Sequence, residues 1–361
     1  ADAIRRRHVD YCLSLVEAAE PQLVRSDQKL WLDRLERDHD NLRAAFDWLL
    51  ERAELDRAAR LCAALRHFWV IRGYLSEGRR SVERVLRHGD AQASLAASHT
   101  VRLLNTAGCL AYNHGDYAAA HSFFEEALVR ARSISDQYGA AFALDGLGAE
   151  AANQDDRARA LTFARESLAL SQAIGDRWLS AITLITLGEL ARLDADYDDA
   201  RQLYEQSLAL LRQIGDKWFI AMVLNNLGQV AQYQGRLAQA QAVHVESLSL
   251  CEEVGNYRGV AMCLENFAGV AGLLSQCERA ARLLGAAQAL RDATHTAMET
   301  GTLDCLDYDR AVNVARAGLS ETSFQAAWAA GRSMTLEQAM AYALEQAAAS
   351  LPKMSAISRT G

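Results

Sequence analysis

Proline is all but missing. Only Pro21 and Pro352 occur in 361 residues, and a stretch that long without a helix-breaking residue is hard to reconcile with anything but helix. Half of the residues are apolar, yet no apolar run approaches the roughly 20 residues that a membrane-spanning helix needs. The basic start, Ala1 to Arg7, is not followed by the apolar core of a secretion signal. These absences predict a soluble, cytoplasmic protein with no membrane partner. The chain begins with Ala inside what reads as a helix, which suggests a piece of a longer protein.

An excess of positive charge is missing too. The formal charge is −8, which gives no general attraction for phosphate backbones or anionic lipid, so direct nucleic-acid binding is not expected. The one basic cluster, Arg79-Arg80 with Arg84 and Arg87, reads as a solvated helix face. The seven cysteines, at 12, 62, 109, 251, 263, 277 and 305, lack C-x-x-C spacing and sit in apolar helical patterns. Buried free thiols in a reducing compartment are expected.

Motifs of catalysis are likewise absent. There is no G-x-x-x-x-G-K-S/T phosphate cradle, no G-x-G-x-x-G after a strand, no H-E-x-x-H and no G-x-S-x-G elbow. His114 and His121 lie on opposite sides of a turn, and no Cys/His cluster suggests a metal site. The acidic pairs Asp155-Asp156 and Asp198-Asp199 fall in turns, where carboxylates cap helices. No catalytic residue, cofactor or metal is predicted, and the chain reads as a binder rather than an enzyme.

What is present is a repeat. Blocks starting at 101, 141, 181, 221 and 261 align without gaps at period 40. Leu104, Leu144, Leu184, Leu224 and Leu264 fall in register, followed by Ala107, Leu147, Leu187, Leu227 and Phe267, then by Gly108, Gly148, Gly188, Gly228 and Ala268. Ala120, Ala160, Ala200, Ala240 and Ala280 align further on, with Leu128, Leu168, Leu208 and Leu248 after them. Each block reads as a helix, a short turn such as His114-Gly115-Asp116, and a second helix. The recurring glycine, which costs about 1 kcal/mol in a helix interior, implies helices crossing too closely for a side chain.

Between hairpins stand Ile134-Ser135-Asp136, Ile174-Gly175-Asp176-Arg177-Trp178, Ile214-Gly215-Asp216-Lys217-Trp218 and Val254-Gly255-Asn256-Tyr257. Glycine there suits a left-handed helix end, and the following Asp or Asn suits a cap for the next helix. The aromatic that follows, Trp178 or Trp218, reads as a packing residue between neighbouring hairpins.

This order of residues resembles the tetratricopeptide repeat, whose common unit is roughly 34 residues, so about six extra must be placed; they are expected between the second helix and the next first helix. The resemblance implies an all-α fold, a right-handed superhelix (α-solenoid) of tetratricopeptide-like hairpins with about 40 residues per repeat. Residues 1–100 read as an N-terminal helical segment with degenerate hairpins, 101–290 as five regular repeats, and 291–361 as a C-terminal helical cap and tail. Thr335-Leu-Glu-Gln338 reads as a capping box in that last segment.

In tetratricopeptide proteins the first helices line a concave binding face. Carried onto the matching positions, that face holds Asn105, Asp145, Asn225 and Glu265, then Glu189 and Gln229, then Tyr112, Asn113, Asn153, Arg192, Gln232 and Tyr233. Such a mixture of amides, carboxylates, a guanidinium and phenols suits the backbone of a peptide or protein segment, or a small effector. A plain solvated helix face accounts equally for any one of these residues.

Outside the repeat, Trp31-Leu-Asp-Arg-Leu-Glu-Arg-Asp-His39-Asp-Asn41-Leu-Arg-Ala-Ala-Phe-Asp-Trp-Leu49, Arg72-Gly-Tyr-Leu-Ser-Glu-Gly-Arg-Arg80 and the tail Ala326-Ala-Trp-Ala-Ala-Gly-Arg332 add a second resemblance. With the Ile-Gly-Asp-Arg/Lys-Trp repeats they resemble the sensor region of bacterial signal-transduction ATPases (STAND proteins), the LuxR-type and AfsR-type transcriptional regulators. The resemblance implies partners in the same full-length chain, an ATPase switch and a DNA-binding module, although related arrays also accompany adenylate cyclase or kinase modules. A constitutive protein-protein scaffold without switching is the alternative.

Overall fold

The computed structural model describes residues 2–92, 95–294 and 303–350. Among these, nineteen α-helices and no strand are found. The chain divides into two compact units, Ala1–Phe219 and Ile220–Gly361.

The first unit opens with α1 (Asp2–Ala19), a short 3-10 turn at Pro21, α2 (Gln28–Arg37) and α3 (His39–Glu51). Next come α4 (Leu55–Ala64) and α5 (Arg66–Arg72), two pieces of one interrupted helix, and α6 (Leu75–Gln92) folds back on them. Regular hairpins follow: α7 (Ala97–Asn113) with α8 (Tyr117–Ser133), α9 (Gln137–Asn153) with α10 (Arg157–Ala173), and α11 (Arg177–Leu193) with α12 (Tyr197–Ile214). The boundary between units falls inside α13 (Lys217–Tyr233). The second unit continues with α14 (Leu237–Val254), α15 (Tyr257–Leu273), α16 (Cys277–Thr294), α17 (Leu303–Ala317), α18 (Glu321–Arg332) and α19 (Leu336–Ser350).

The turns explain the regularity. Asp116, Asp136, Asp156, Asp176, Asp196, Asp216 and Asn256 each accept a hydrogen bond from the amide three residues on, at 2.8–3.2 Å. Before each cap stands a residue in the left-handed region: Gly115 at φ +79°, Gly175 at +71°, Gly215 at +90° and Gly255 at +67°, with Ser135, Asp155 and Ala195 taking the same conformation without being glycine. Turns within and between these hairpins therefore have one design. The residues beyond the common repeat length, expected from sequence between the second helix and the next first helix, instead lengthen the helices, which run to 17 or 18 residues with three- or two-residue turns.

The recurring glycine also has a different cause from the one expected. A Cβ on Gly108 would lie 2.7 Å from the Phe124 ring, one on Gly188 2.5 Å from Tyr204, and one on Gly228 2.1 Å from His244. At these three registers glycine makes room for a ring from the second helix of its own hairpin. Only Gly148, opposite Ala164, is a close approach of two backbones. The aligned Ala120, Ala160, Ala200, Ala240 and Ala280 are fully buried, as the pattern requires. Serines add a tie that the pattern did not suggest: Ser167, Ser207 and Ser247 donate to the carbonyls of Ala141, Ala181 and Ala221 at 2.7–2.8 Å, joining second helix to first.

In the first unit the adjacent first helices α7, α9 and α11 pack directly on one another. In the second, α16 and α18 cross so closely that a Cβ on Gly285 would sit 2.2 Å from the Trp328 carbonyl and one on Gly331 1.9 Å from that of Arg282. The Thr335–Gln338 capping box forms, with reciprocal bonds of 2.9 and 3.3 Å ahead of α19.

Candidate functional site

The first-helix residues singled out from sequence divide between the two units. In the first, Asn105 is buried, its amide spent on the Gly139 carbonyl at 3.0 Å. Tyr112 and Asn153 are half-buried and joined by a hydrogen bond from Asn153 Nδ2 to the phenol oxygen at 2.9 Å. Asn113 donates back to the Cys109 carbonyl of its own helix. Glu189 is half-buried on α11, and Arg192, one turn on, is buried. Asp145 accepts from Thr186 Oγ1 at 3.2 Å, and burial pushes its carboxyl up to about 6.

Toward the starts of these helices lies an aromatic wall. Trp178 stacks on Phe142 (6.5 Å, 8° between planes) and meets Phe219 and His67 edge-on. The Arg66 guanidinium lies over Phe142 at 4.2 Å, a cation–π contact. Trp178 Nε1 also donates to the buried Asp216 at 2.9 Å. Trp178 thus packs between hairpins, whereas the ring contact of Trp218 is with its own neighbour in α13, Phe219 (4.5 Å). Tyr257, one residue out of that register, is 47% exposed.

In the second unit Gln229, Gln232, Tyr233 and Glu265 come together in a cleft walled by α13, α15 and α17. Its open space is small, about 40 Å³, room for a side chain rather than for a drug-sized molecule of the 300–1,000 Å³ class. Gln229 donates to Asn266 Oδ1 at 3.1 Å, while Asn266 Nδ2 is buried and finds no partner among the described residues. Glu265 is 8% exposed and held bidentately by Arg291, both bonds 2.7 Å. Tyr233 donates to Asp307, and Arg310 lies over its ring at 5.0 Å. Asn225 is set deeper, against His244 and Cys263. Burial lowers the His244 pKa to about 3, so the imidazole facing Gln232 is neutral.

Models of the tetratricopeptide repeat match residues 100–135, 136–213 and 219–293, together just over half of the sequence. The chain belongs to the tetratricopeptide-repeat family. No curated protein matches it by sequence. Among solved structures it is similar to a Rap protein complexed with competence and sporulation factor, with a TM-score of 0.61 and 9% identity over 97% of this chain and 100% of that one. It is also similar to a signal transduction ATPase with numerous domains from Pyrococcus horikoshii that has a tetratricopeptide repeat sensor, with a TM-score of 0.51 and 15% identity over 96% of this chain. The chain spans about half, 52%, of that ATPase. At such identities the likeness is one of fold.

Within this tetratricopeptide array the cleft of the second unit takes one of its three walls from α17. Asp307, Tyr308 and Arg310 were hidden from sequence reasoning because the period fails before them. The signal that would have found them is the amphipathic run from 303 to 317, a further first helix placed beyond a break. Asn266 was missed because it sits one register position from the family's inward set. Chemically the cleft offers an exposed guanidinium, an uncommitted amide donor and phenolic and apolar walls, a set for hydrogen-bonding a backbone and accepting one side chain. Among the described residues no group of three His, Cys, Asp or Glu could hold a metal, and no helix is long and apolar enough to cross a membrane.

Proposed function

We propose that this chain is the sensor of a bacterial signal-transduction ATPase of the LuxR or AfsR type, and that it takes a short peptide or protein segment on the first-helix face. The observation that carries this reading is the cleft between α13, α15 and α17. There a buried amide donor without a partner, Asn266 Nδ2, lies among Gln229, Gln232 and Tyr233 with Arg310 at the rim. An unsatisfied buried donor costs about 1–3 kcal/mol, a cost that a peptide carbonyl would relieve. Asn105, Tyr112, Asn113, Asp145, Asn153, Glu189 and Arg192 extend the same reading to the first-helix face of the first unit, and Asn225 and Glu265 support the cleft from beneath. The fold shared with a Rap protein and with a STAND ATPase sensor agrees with such a role.

In this reading the bound segment favours the active arrangement of an ATPase module elsewhere in the full-length protein, since a ligand binding both arrangements equally would shift nothing. A displayed library of random heptapeptides, selected on the purified chain and counter-selected on Arg310→Glu, tests the cleft. Enriched peptides should bind the wild type at least tenfold more tightly than the variant. A selection yielding only peptides that bind both alike removes the cleft from consideration. In a chain that includes the ATPase, nucleotide exchange that ignores the peptide would replace the switch with a constitutive scaffold.

A further inference from the structure

A second cavity lies wholly within the first unit, between α3 and α6 with α4 and α5 as its floor. At about 260 Å³ it has the volume of about nine waters at ~30 Å³ each. Ion pairs close both ends. At one, Glu77 of α6 accepts from His39 Nε2 at 2.8 Å and from Arg43 Nε at 3.0 Å; at the other, Arg84 Nη1 meets Asp47 at 2.9 Å. Between them the walls are Leu42, Phe46, Leu61, Leu65 and Trp69, too apolar for water alone to fill well.

Three polar groups of the lining residues have no partner among the described residues, and two of them, on Ser81 and Arg80, are open to solvent. The Trp69 indole N–H is buried and unsatisfied in a side chain only 2% exposed. Gly78 of α6 packs against Cγ, Cδ2 and Cε3 of that ring, the edge opposite the N–H. The Ser81 hydroxyl and the Arg80 guanidinium line the cavity from α6, and Arg80 is exposed and enters no ion pair, unlike Arg43 and Arg84. One uncompensated cation and a hydroxyl donor above an apolar floor match a single anionic head on an apolar body. A polyphosphate would need more unpaired cations, and an inorganic anion would leave the apolar walls without contact.

We infer that this cavity binds a small apolar monocarboxylate, its head on Arg80 with Ser81 donating, its body over Leu61, Leu65, Phe46 and the Trp69 ring. The inference is independent of the first-helix cleft. The whole chain, labelled with ¹⁵N at the indoles of its six tryptophans, is titrated with octanoate, 3-phenylpropanoate and neutral octanamide, the Trp69 resonance being assigned with Trp69→Phe. Octanoate should move the Trp69 indole signal and leave that of Trp328 in place, and octanamide should bind at least tenfold more weakly. Arg80→Ala, an exposed change that removes no partner, should weaken octanoate at least tenfold without affecting octanamide. Ser81→Leu, which fills the cavity, should abolish both shifts. The inference is overturned if neither carboxylate moves the Trp69 signal up to about 10 mM, or if octanoate binds Arg80→Ala as it binds the wild type.

Discussion

Asp145 shows what a first-helix position can tolerate. Its half-buried side chain faces α11, and burial outweighs the hydroxyl donors Thr183 and Thr186 to lift its pKa from the ordinary 3.8 to about 6. A raised acid pKa means that the folded state holds the proton more tightly than the unfolded state, so stability falls as pH rises from about 4 to about 6 and the penalty is complete above that. Asp145→Asn keeps an acceptor for Thr186 and removes the charge. The variant is expected to be more stable than the wild type at pH 8, by an amount that shrinks toward zero near pH 4, as read from urea midpoints of both proteins at the two pH values. A stability difference that does not change with pH would show that the carboxylate is not held in a charge-disfavouring site. Glu77 has the opposite sign: although burial opposes ionisation, hydrogen bonds from His39 and Arg43 hold its pKa at about 2. Its contribution is present above about 4.5 and lost as pH falls toward 2, outside the window in which Asp145 acts.

At the scale of the element, a period of 20 underlies the period of 40. Left-handed residues recur at 115, 135, 155, 175, 195, 215, 235, 255 and 275, one after each helix, but only five of these are glycine. Ala195 at φ +58° has no side-chain function to set against the roughly 1–2 kcal/mol that a left-handed conformation costs an L-residue. Ala195→Gly, which also gains freedom in the unfolded chain, should stabilise by about 0.5–1 kcal/mol net. Thermal unfolding checks this, and a lowered midpoint would mean that the turn is not strained. The caps, the five hairpins and the all-helical class were legible in the sequence because Asp or Asn after a helix stop and a 3.6-residue apolar stripe are local signals. The ring that fills each glycine notch was not: Phe124, Tyr204 and His244 lie sixteen residues beyond their glycines on another helix, and their identity varies from repeat to repeat. Nor was the cleft complete in sequence, since one of its three walls comes from α17.

At the scale of the larger unit, the hairpins are tied by a contact that no repeat pattern encodes. Gln28, at the start of α2, is fully buried; its amide donates to the Leu23 carbonyl at 2.6 Å and to Asp216 Oδ1 at 3.0 Å, and its carbonyl accepts from the Trp218 amide at 3.1 Å. Gly215 packs on the backbone of Ser26 so closely that a Cβ there would lie 2.8 Å from the Ser26 nitrogen. The segment before α2 therefore closes onto the turn before α13, 188 residues away. Asp216 caps α13 and accepts from Trp178; burial raises its pKa while these hydrogen bonds oppose the rise. Gln28→Ala would leave three buried groups short of a partner, and at about 1–3 kcal/mol for each such group, discounted for water entering the gap, a loss of about 2–4 kcal/mol is expected. Hydrogen exchange distinguishes this from a local defect. If Gln28 fastens the N-terminal helices to the array, the variant should lose protection both at the amides of 217–219 and at those of α2, whereas loss confined to α2 would show that the closure at Asp216 stands without it.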